Sequence, residues 1–208
     1  MSERTLRIGI DIDDVLIKSV DRAVEMYNEA FGTAITRDTW YDFSDLEVWG
    51  DDDLRVLVNR VVGLFSSDAF ASVQPLEGAN DVLNHLKREG HELFAVTGRS
   101  ESIRKQTLFV LDKCYPDLFE NDTVFFVDHY SHDGEKASKA DVSAELQLTH
   151  FVDDQIEHVN SLSRAGIKTV LFSQDYKWNQ TGADDNVIRL NDWQSVGVFF
   201  DDEAARKS

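Results

Sequence analysis

The sequence contains 208 residues, 42% of them hydrophobic and 11% aromatic, which is enough to build one domain or one domain with an insertion. The formal net charge of −18 argues against a nucleic-acid polymer as a partner, because a phosphate backbone is bound by a basic face. A single cysteine excludes an internal disulfide framework, and without a membrane-spanning apolar run or a signal-peptide pattern we expect a cytoplasmic protein that does not associate with a membrane.

The first predicted strand covers residues 6–12, where an apolar, β-branched run leads straight into Asp11, Asp13 and Asp14. Carboxylates at the mouth of a buried strand repel one another and lose hydration, unless a cation lies among them. A divalent cation that prefers oxygen ligands would fit, although a solvated acidic turn explains this stretch equally well when it is taken alone.

The next stretch is predicted to be mostly helical. A helix is expected over residues 19–31, because apolar residues recur at three- and four-residue spacing until Gly32, and a second helix over residues 54–65. Since no strand alternates with these helices, we interpret residues 19–74 as an insertion. It contains four aromatic residues within a short span: Trp40, Tyr41, Phe43 and Trp49.

Strands and helices alternate regularly from Pro75 onwards. The predicted strands cover residues 92–96, 123–127, 149–152, 168–172 and 187–190, and the predicted helices cover residues 79–89, 101–113, 139–146, 156–165 and 192–200. This alternation predicts an α/β fold, with a Rossmann-like parallel sheet and helices on both of its faces. Binding sites in such sheets lie at the carboxyl ends of the strands.

Polar clusters follow directly on three of the predicted strands, and a lysine begins a helix between the last two: Asp11 and Asp13, Thr97-Gly98-Arg99, Lys139, and Asp153-Asp154. Each has an ordinary interpretation when taken alone, namely a strand-to-helix turn, a helix cap or a solvated lysine, and Lys136 is a rival for the role of Lys139. Right-handed crossovers bring the strand ends to one edge of the sheet, so the clusters together indicate a single site.

In this order, the four clusters resemble the motifs of the haloacid dehalogenase superfamily of phosphohydrolases, and the resemblance covers nearly the whole chain. It implies a core formed by residues 1–18 and 75–208 and a substrate-covering helical cap formed by residues 19–74. It also implies that Asp11 is the nucleophile that forms an aspartyl-phosphate. Asp13 would protonate the leaving alcohol and later activate water.

The resemblance further implies a Mg²⁺ ion held by Asp11, by the backbone carbonyl of Asp13 and by the pair Asp153-Asp154. We favour Asp154 as the direct ligand and Asp153 as a partner through water. Thr97 and Gly98 would donate hydrogen bonds to the phosphate group, and Lys139 would offset the excess negative charge.

Within the superfamily, the insertion and the join at residues 75–79 resemble the 5′(3′)-deoxyribonucleotidases and their bacterial relatives, whose cap aromatics sandwich the base. This implies a nucleoside monophosphate as substrate and a base-binding role for the aromatic residues of the insertion, unless they form the core of the cap. The sequence departs from these nucleotidases at three places. Thr-Gly-Arg stands where they carry a motif resembling Thr-Ser-Pro, and Asp14 replaces the more usual Gly. They also carry an aromatic residue shortly after the first motif, where this sequence has Lys18-Ser19-Val20.

These departures leave a second enzyme interpretation open, a phosphatase for a sugar phosphate or another non-nucleotide metabolite. A phosphoacceptor signalling module or a non-catalytic phosphate-binding protein is the alternative from a different class. Asp128, His129, His132 and Asp133 form either a polar loop or a small metal cluster. Tyr176 and Trp178 either pack on their own chain or contact a second subunit, as in a homodimer.

Overall fold

The computed structural model describes residues 5–127, 137–174 and 176–206, and its centre is a six-stranded parallel sheet. The strand order is β3-β2-β1-β4-β5-β6, and each neighbouring pair is parallel. The strands are β1 (Arg7–Ile10), β2 (Glu92–Thr97), β3 (Val124–Phe126), β4 (His150–Asp153), β5 (Lys168–Phe172) and β6 (Ile188–Leu190). The predicted α/β fold is therefore confirmed.

Helices connect the strands: α1 (Ser19–Phe31), α2 (Leu54–Phe65), α3 (Ala79–Arg88), α4 (Arg104–Cys114), α5 (Lys139–Glu145), α6 (Ile156–Arg164) and α7 (Trp193–Ala205). Most agree with the predicted bounds to within two residues. Helix α4 begins three residues later than predicted, because Glu101–Ile103 form a 3₁₀ turn capped by the Ser100 side chain. None of the helices in the described part of the chain is long and apolar enough to span a membrane.

Both faces of the sheet are buried, and successive side chains along a strand point to opposite faces. In β2, Leu93 and Ala95 belong to the larger apolar core, whereas Phe94 and Val96 belong to the smaller one. Helices α3 and α7 pack together on the side of the larger core, while α5 and α6 cover the other side. Gly9 allows β4 to approach β1 closely, since a Cβ atom there would lie 2.4 Å from the Phe151 ring.

The insertion (residues 19–74) leaves and rejoins the sheet at one point. The Lys18 N–H donates to the Gln74 carbonyl at 2.9 Å, and the Leu76 N–H donates to the Leu16 carbonyl at 2.7 Å. Between these ties lie α1, α2 and three 3₁₀ turns at Arg37–Thr39, Leu46–Trp49 and Asp68–Ser72. The insertion is therefore joined to the sheet by two adjacent chain segments near the carboxyl end of β1.

Candidate active site

The site lies at the carboxyl ends of three neighbouring strands, β2, β1 and β4. Ile10 at the end of β1 is paired with Ala95 on one side and Val152 on the other, and the Asp11 N–H donates to the Val152 carbonyl at 2.9 Å. This register places the residues after β1 beside those that end β2 and β4. The parallel topology thus brings Asp11, Thr97 and Asp153 to one edge of the sheet.

Lys139 is buried between two of these carboxylates. It is the first residue of α5, whose start is fixed by a capping box between Ser138 and Asp141. The Lys139 ammonium lies 2.6 Å from Asp11 Oδ1 and 2.6 Å from Asp153 Oδ2. Burial alone would lower the pKa of Lys139, but the two carboxylates raise it above its usual range, so the side chain is cationic.

The carboxylates of this site differ in the direction in which their pKa values are shifted. Burial raises the pKa of Asp11 to about 6, against the opposing pull of Lys139. Burial also disfavours the ionised form of Asp153, but Lys139 and His158 hold its pKa below the usual range. The pKa of Asp154 is well above its usual range because of burial and the nearby charges of Asp153 and Asp11. The site thus carries more acidic groups than its one ammonium can compensate.

This surplus is suited to a hard cation. Carboxylate oxygens of Asp11, Asp153 and Asp154 lie within 4.8 Å of one another, and all three residues are buried. Asp154 borders the adjoining cavity, whereas Asp153 is not among the described residues that line it. One Asp154 oxygen accepts a hydrogen bond from the Trp178 indole N–H at 2.7 Å, which fixes the carboxylate.

Asp13 is held by Arg99, a residue to which the sequence analysis gave no role. Arg99 Nε donates to Asp13 Oδ2 at 3.0 Å, and Nη2 donates to Oδ1 at 2.7 Å. The Arg99 backbone N–H donates to the Thr97 hydroxyl at 3.2 Å, which shapes the turn after β2. Gly98, between them, borders the cavity. The signal in the sequence was the arginine of Thr-Gly-Arg, whose partner lies 86 positions away.

Asp14 occupies a left-handed backbone conformation with φ of 55°, which asparagine and aspartate adopt more readily than most residues and glycine most readily of all. This explains how Asp14 can replace the more usual glycine. Its side chain is buried, and its Oδ1 accepts a hydrogen bond from Arg37 of the insertion at 3.0 Å. Burial raises the pKa of Asp14 to about 8, although Arg37 acts in the opposite direction.

A cavity of about 390 Å³ opens between these residues and the insertion. Asp11, Asp13, Asp154, Lys139 and Arg99 border its polar end. The insertion provides the apolar walls, which consist of Trp40, Tyr41, Phe43, Leu57, Val58, Val61, Val62 and Phe65. The cavity can therefore take a small molecule that has a charged group at one end and an apolar or aromatic group at the other.

The four aromatic residues of the insertion divide into two groups. Trp49 is fully buried, packs against Tyr27 and Trp40, and is not among the described residues that line the cavity. It belongs to the core of the insertion, which is the second of the two roles that the sequence left open for these aromatic residues. Trp40 is also buried but borders the cavity, as do the partly buried Tyr41 and Phe43.

Tyr176 and Trp178 pack on their own chain. Their rings are stacked with centroids 4.5 Å apart, and the Tyr176 hydroxyl donates to the Asp14 carbonyl at 3.0 Å. The Arg37 guanidinium lies over the Tyr176 ring at 4.4 Å, and Tyr41 meets Trp178 edge to face. The other cluster suggested by the sequence, Asp128, His129, His132 and Asp133, lies outside the described residues, as does Lys136.

The comparisons with known proteins agree with this geometry. A family model described as "5' nucleotidase, deoxy (Pyrimidine), cytosolic type C protein" matches residues 4–199. A Bacillus cereus protein named "Putative nucleotidase" is 21% identical over 211 residues, which covers 95% of this chain and 100% of the relative.

Solved structures show the same fold. A haloacid dehalogenase-like family hydrolase from Streptococcus pneumoniae has a TM-score of 0.65 at 15% identity, and the match covers 94% of this chain and 98% of that chain. A haloacid dehalogenase-like protein of unknown function from Agrobacterium tumefaciens has a TM-score of 0.63 at 14% identity, with coverage of 97% and 100%.

Proposed function

The chain belongs to the family of cytosolic type C 5′-nucleotidases, within the haloacid dehalogenase superfamily of phosphatases, and from this premise we propose that it hydrolyses (deoxy)nucleoside monophosphates through an aspartyl-phosphate on Asp11. The observation that carries the proposal is the buried Asp11–Lys139–Asp153 arrangement, in which Asp11 and Lys139 border the polar end of the cavity. A phosphatase is an enzyme, so this family membership sets aside the signalling and binding interpretations.

The chemistry follows from the positions of the carboxylates. An Asp11 oxygen attacks phosphorus, and the bond between phosphorus and the ester oxygen breaks. Asp13 gives its proton to the departing alcohol and then takes a proton from the water that hydrolyses the acyl phosphate. Lys139 holds Asp11 in place and balances its charge. Thr97, the buried last residue of β2, and Gly98, which follows it and borders the cavity, would provide hydrogen-bond donors for the phosphate oxygens.

The donor set fits Mg²⁺, since the carboxylates of Asp11, Asp153 and Asp154 are buried together, only the first two bind the Lys139 ammonium, and oxygen is the ligand that this ion prefers. Asp11, Asp154 and the backbone carbonyl of Asp13 would hold the ion, with Asp153 acting through water. When bound, Mg²⁺ would neutralise charge on the transferring phosphate group. Asp154 lines the cavity and Asp153 is not among the described residues that line it, which supports Asp154 as the direct ligand.

We assign the phosphatase core to residues 1–18 and 75–208 and a cap to residues 19–74. The backbone ties at Lys18–Gln74 and Leu16–Leu76 support these boundaries. The apolar walls supplied by the cap favour a nucleobase over the hydroxyl groups of a sugar phosphate. Of the four aromatic residues, Trp40, Tyr41 and Phe43 are in a position to contact a base.

The test is phosphate release in Mg²⁺ and in EDTA, measured across nucleoside 5′- and 3′-monophosphates, sugar phosphates and p-nitrophenyl phosphate. We expect Mg²⁺-dependent turnover that is fastest for one class of nucleoside monophosphate. Turnover confined to sugar phosphates would retain the chemistry and reject the nucleotide. Failure to hydrolyse any of these substrates in Mg²⁺ would reject the proposed function.

A further inference from the structure

We propose that Arg99 is a positioning residue for Asp13 and that contact with the insertion holds Arg99 in place. The proposal rests on the proposed function, in which Asp13 transfers protons to and from the reacting oxygens. Arg99 itself is not required to touch those oxygens. Its contribution is the orientation of the Asp13 carboxylate relative to the phosphate ester.

The first support is the geometry of the pair. The guanidinium binds both oxygens of Asp13 through two parallel hydrogen bonds, of 3.0 and 2.7 Å, and such a fork fixes the plane of a carboxylate. The Arg99 side chain is 5% exposed and that of Asp13 is 22% exposed, so the pair is largely shielded from water. Each Asp13 oxygen retains a second lone pair, which can hold the proton that Asp13 gives to the leaving oxygen and later takes from water.

The second support is the anchoring of Arg99 within the core. Its Nη1 donates to the Thr107 hydroxyl of α4 at 3.2 Å, and its backbone N–H donates to Thr97 Oγ1. The side chain is therefore held at its root and at its tip, by β2 and by α4. A fixed arginine limits the rotation of the carboxylate that it binds.

The third support comes from the insertion. The guanidinium carbon lies 4.8 Å from the centre of the Phe65 ring and 5.4 Å from that of Phe70, within the range of cation–π attraction. Phe65 ends α2, Phe70 lies in the last 3₁₀ turn of the insertion, and their ring centres are 4.6 Å apart. One pair of phenyl rings thus joins the insertion to the residue that orients Asp13.

The test compares leaving groups, because a poor leaving group needs a proton and a good one does not. Single-turnover rates of the first step are measured with a nucleoside monophosphate, which releases an alkoxide-type oxygen, and with p-nitrophenyl phosphate, which releases a stable phenolate. We expect Arg99→Met and Arg99→Lys to slow the nucleotide reaction by about 10²-fold or more, as for loss of a general acid. The p-nitrophenyl phosphate reaction should change by a few-fold at most.

Lysine keeps the charge but not the two-pronged hydrogen bonding, so Arg99→Lys isolates orientation and remains informative if Arg99→Met does not fold. Arg104→Met is the matched control, since Arg104 also pairs with an acid, Glu101, and lies over an aromatic ring, Phe126, but does not contact Asp13. Its rates should equal those of the wild type. The melting temperature of each variant is recorded to identify loss of folded protein.

A double variant provides a second measurement. If Arg99 acts through Asp13, then Arg99→Lys combined with Asp13→Asn should be no slower on the nucleotide than Asp13→Asn alone. The positioning role would be overturned if the two substitutions lowered the nucleotide rate by the product of their separate effects, or if Arg99→Lys slowed the reactions of both leaving groups equally. Either result would leave the proposed function intact. A wild-type enzyme that hydrolyses neither substrate in Mg²⁺ would reject the proposed function, and the role of Arg99 would fall with it.

Discussion

Replacing Lys139 with methionine tests the charge balance of the site. The ammonium is the shared partner of two buried carboxylates, at 2.6 Å from each, so its removal leaves Asp11 and Asp153 without an ammonium between them, and only Asp153 keeps His158 nearby. Removing one partner from a buried ion pair costs about 3–5 kcal/mol. A chain of this length has an unfolding entropy of roughly 0.44 kcal/mol/K, so the melting temperature in EDTA should fall by about 7–11 °C.

The measurement is thermal unfolding in EDTA and in Mg²⁺, since an added cation should replace part of the lost charge and restore part of the melting temperature. Lys168→Met is the matched control, because Lys168 pairs with Glu203 at 2.7 Å but its side chain is 38% exposed. The Glu203 side chain is only 9% exposed but keeps Arg206 as a second partner at 2.7 Å. We therefore expect a loss of about 0–1 kcal/mol, as for an exposed pair, and a melting temperature within roughly 2 °C of the wild type. A Lys139→Met protein as stable as the control in EDTA would refute the reasoning.

Three further predictions concern turnover and binding. Asp11→Asn should abolish phosphate release while the protein keeps its fold, and substantial residual turnover would remove Asp11 as nucleophile. Phe43→Ala should raise KM for a nucleoside monophosphate by about tenfold, since stacking on one base is worth about 1–3 kcal/mol, and should leave KM for p-nitrophenyl phosphate unchanged. Equal increases in KM for both substrates would place Phe43 in the core only. Trp178→Phe removes the indole N–H that donates to Asp154 and should weaken Mg²⁺ binding by about 10–100-fold. The measurement is the dependence of the melting temperature on Mg²⁺ concentration, and a dependence equal to that of the wild type would contradict this role.

Much of the fold could be predicted from the sequence, because local pattern and topology act together. The apolar spacing that ends at Gly32 and the acidic start before Leu54 gave the bounds of α1 and α2 that the structure has. The prediction for α7 was wrong, since the helix continues five residues past Phe200. The additional turn is held by side-chain contacts, since Glu203 accepts hydrogen bonds from Lys168 and His150, and Ala204 is buried.

The part of the site that follows directly from the sheet could also be predicted, because residues after parallel strands meet at one edge. Contacts between distant side chains could not. Arg99 meets Asp13 across 86 positions and Trp178 meets Asp154 across 24 positions, and neither pairing has a local spacing that would reveal it. The division of the aromatic residues likewise depends on how the insertion packs, since Trp49 and Phe43 differ in burial but not in any sequence pattern.

The arrangement of charges also explains how an acidic protein can act on an anion in the proposed reaction. Among the described residues that line the cavity, the arginine and the lysine are Arg99 and Lys139, and each is already paired with a carboxylate. Neither can offer a free charge to a phosphate dianion, and the net charge of −18 repels it from a distance. In the proposed reaction, a bound cation would supply the positive charge that admits the phosphate, while the paired side chains would keep the carboxylates oriented. Metal binding and substrate binding would then depend on each other, because the same surplus of carboxylates attracts the cation and repels the phosphate.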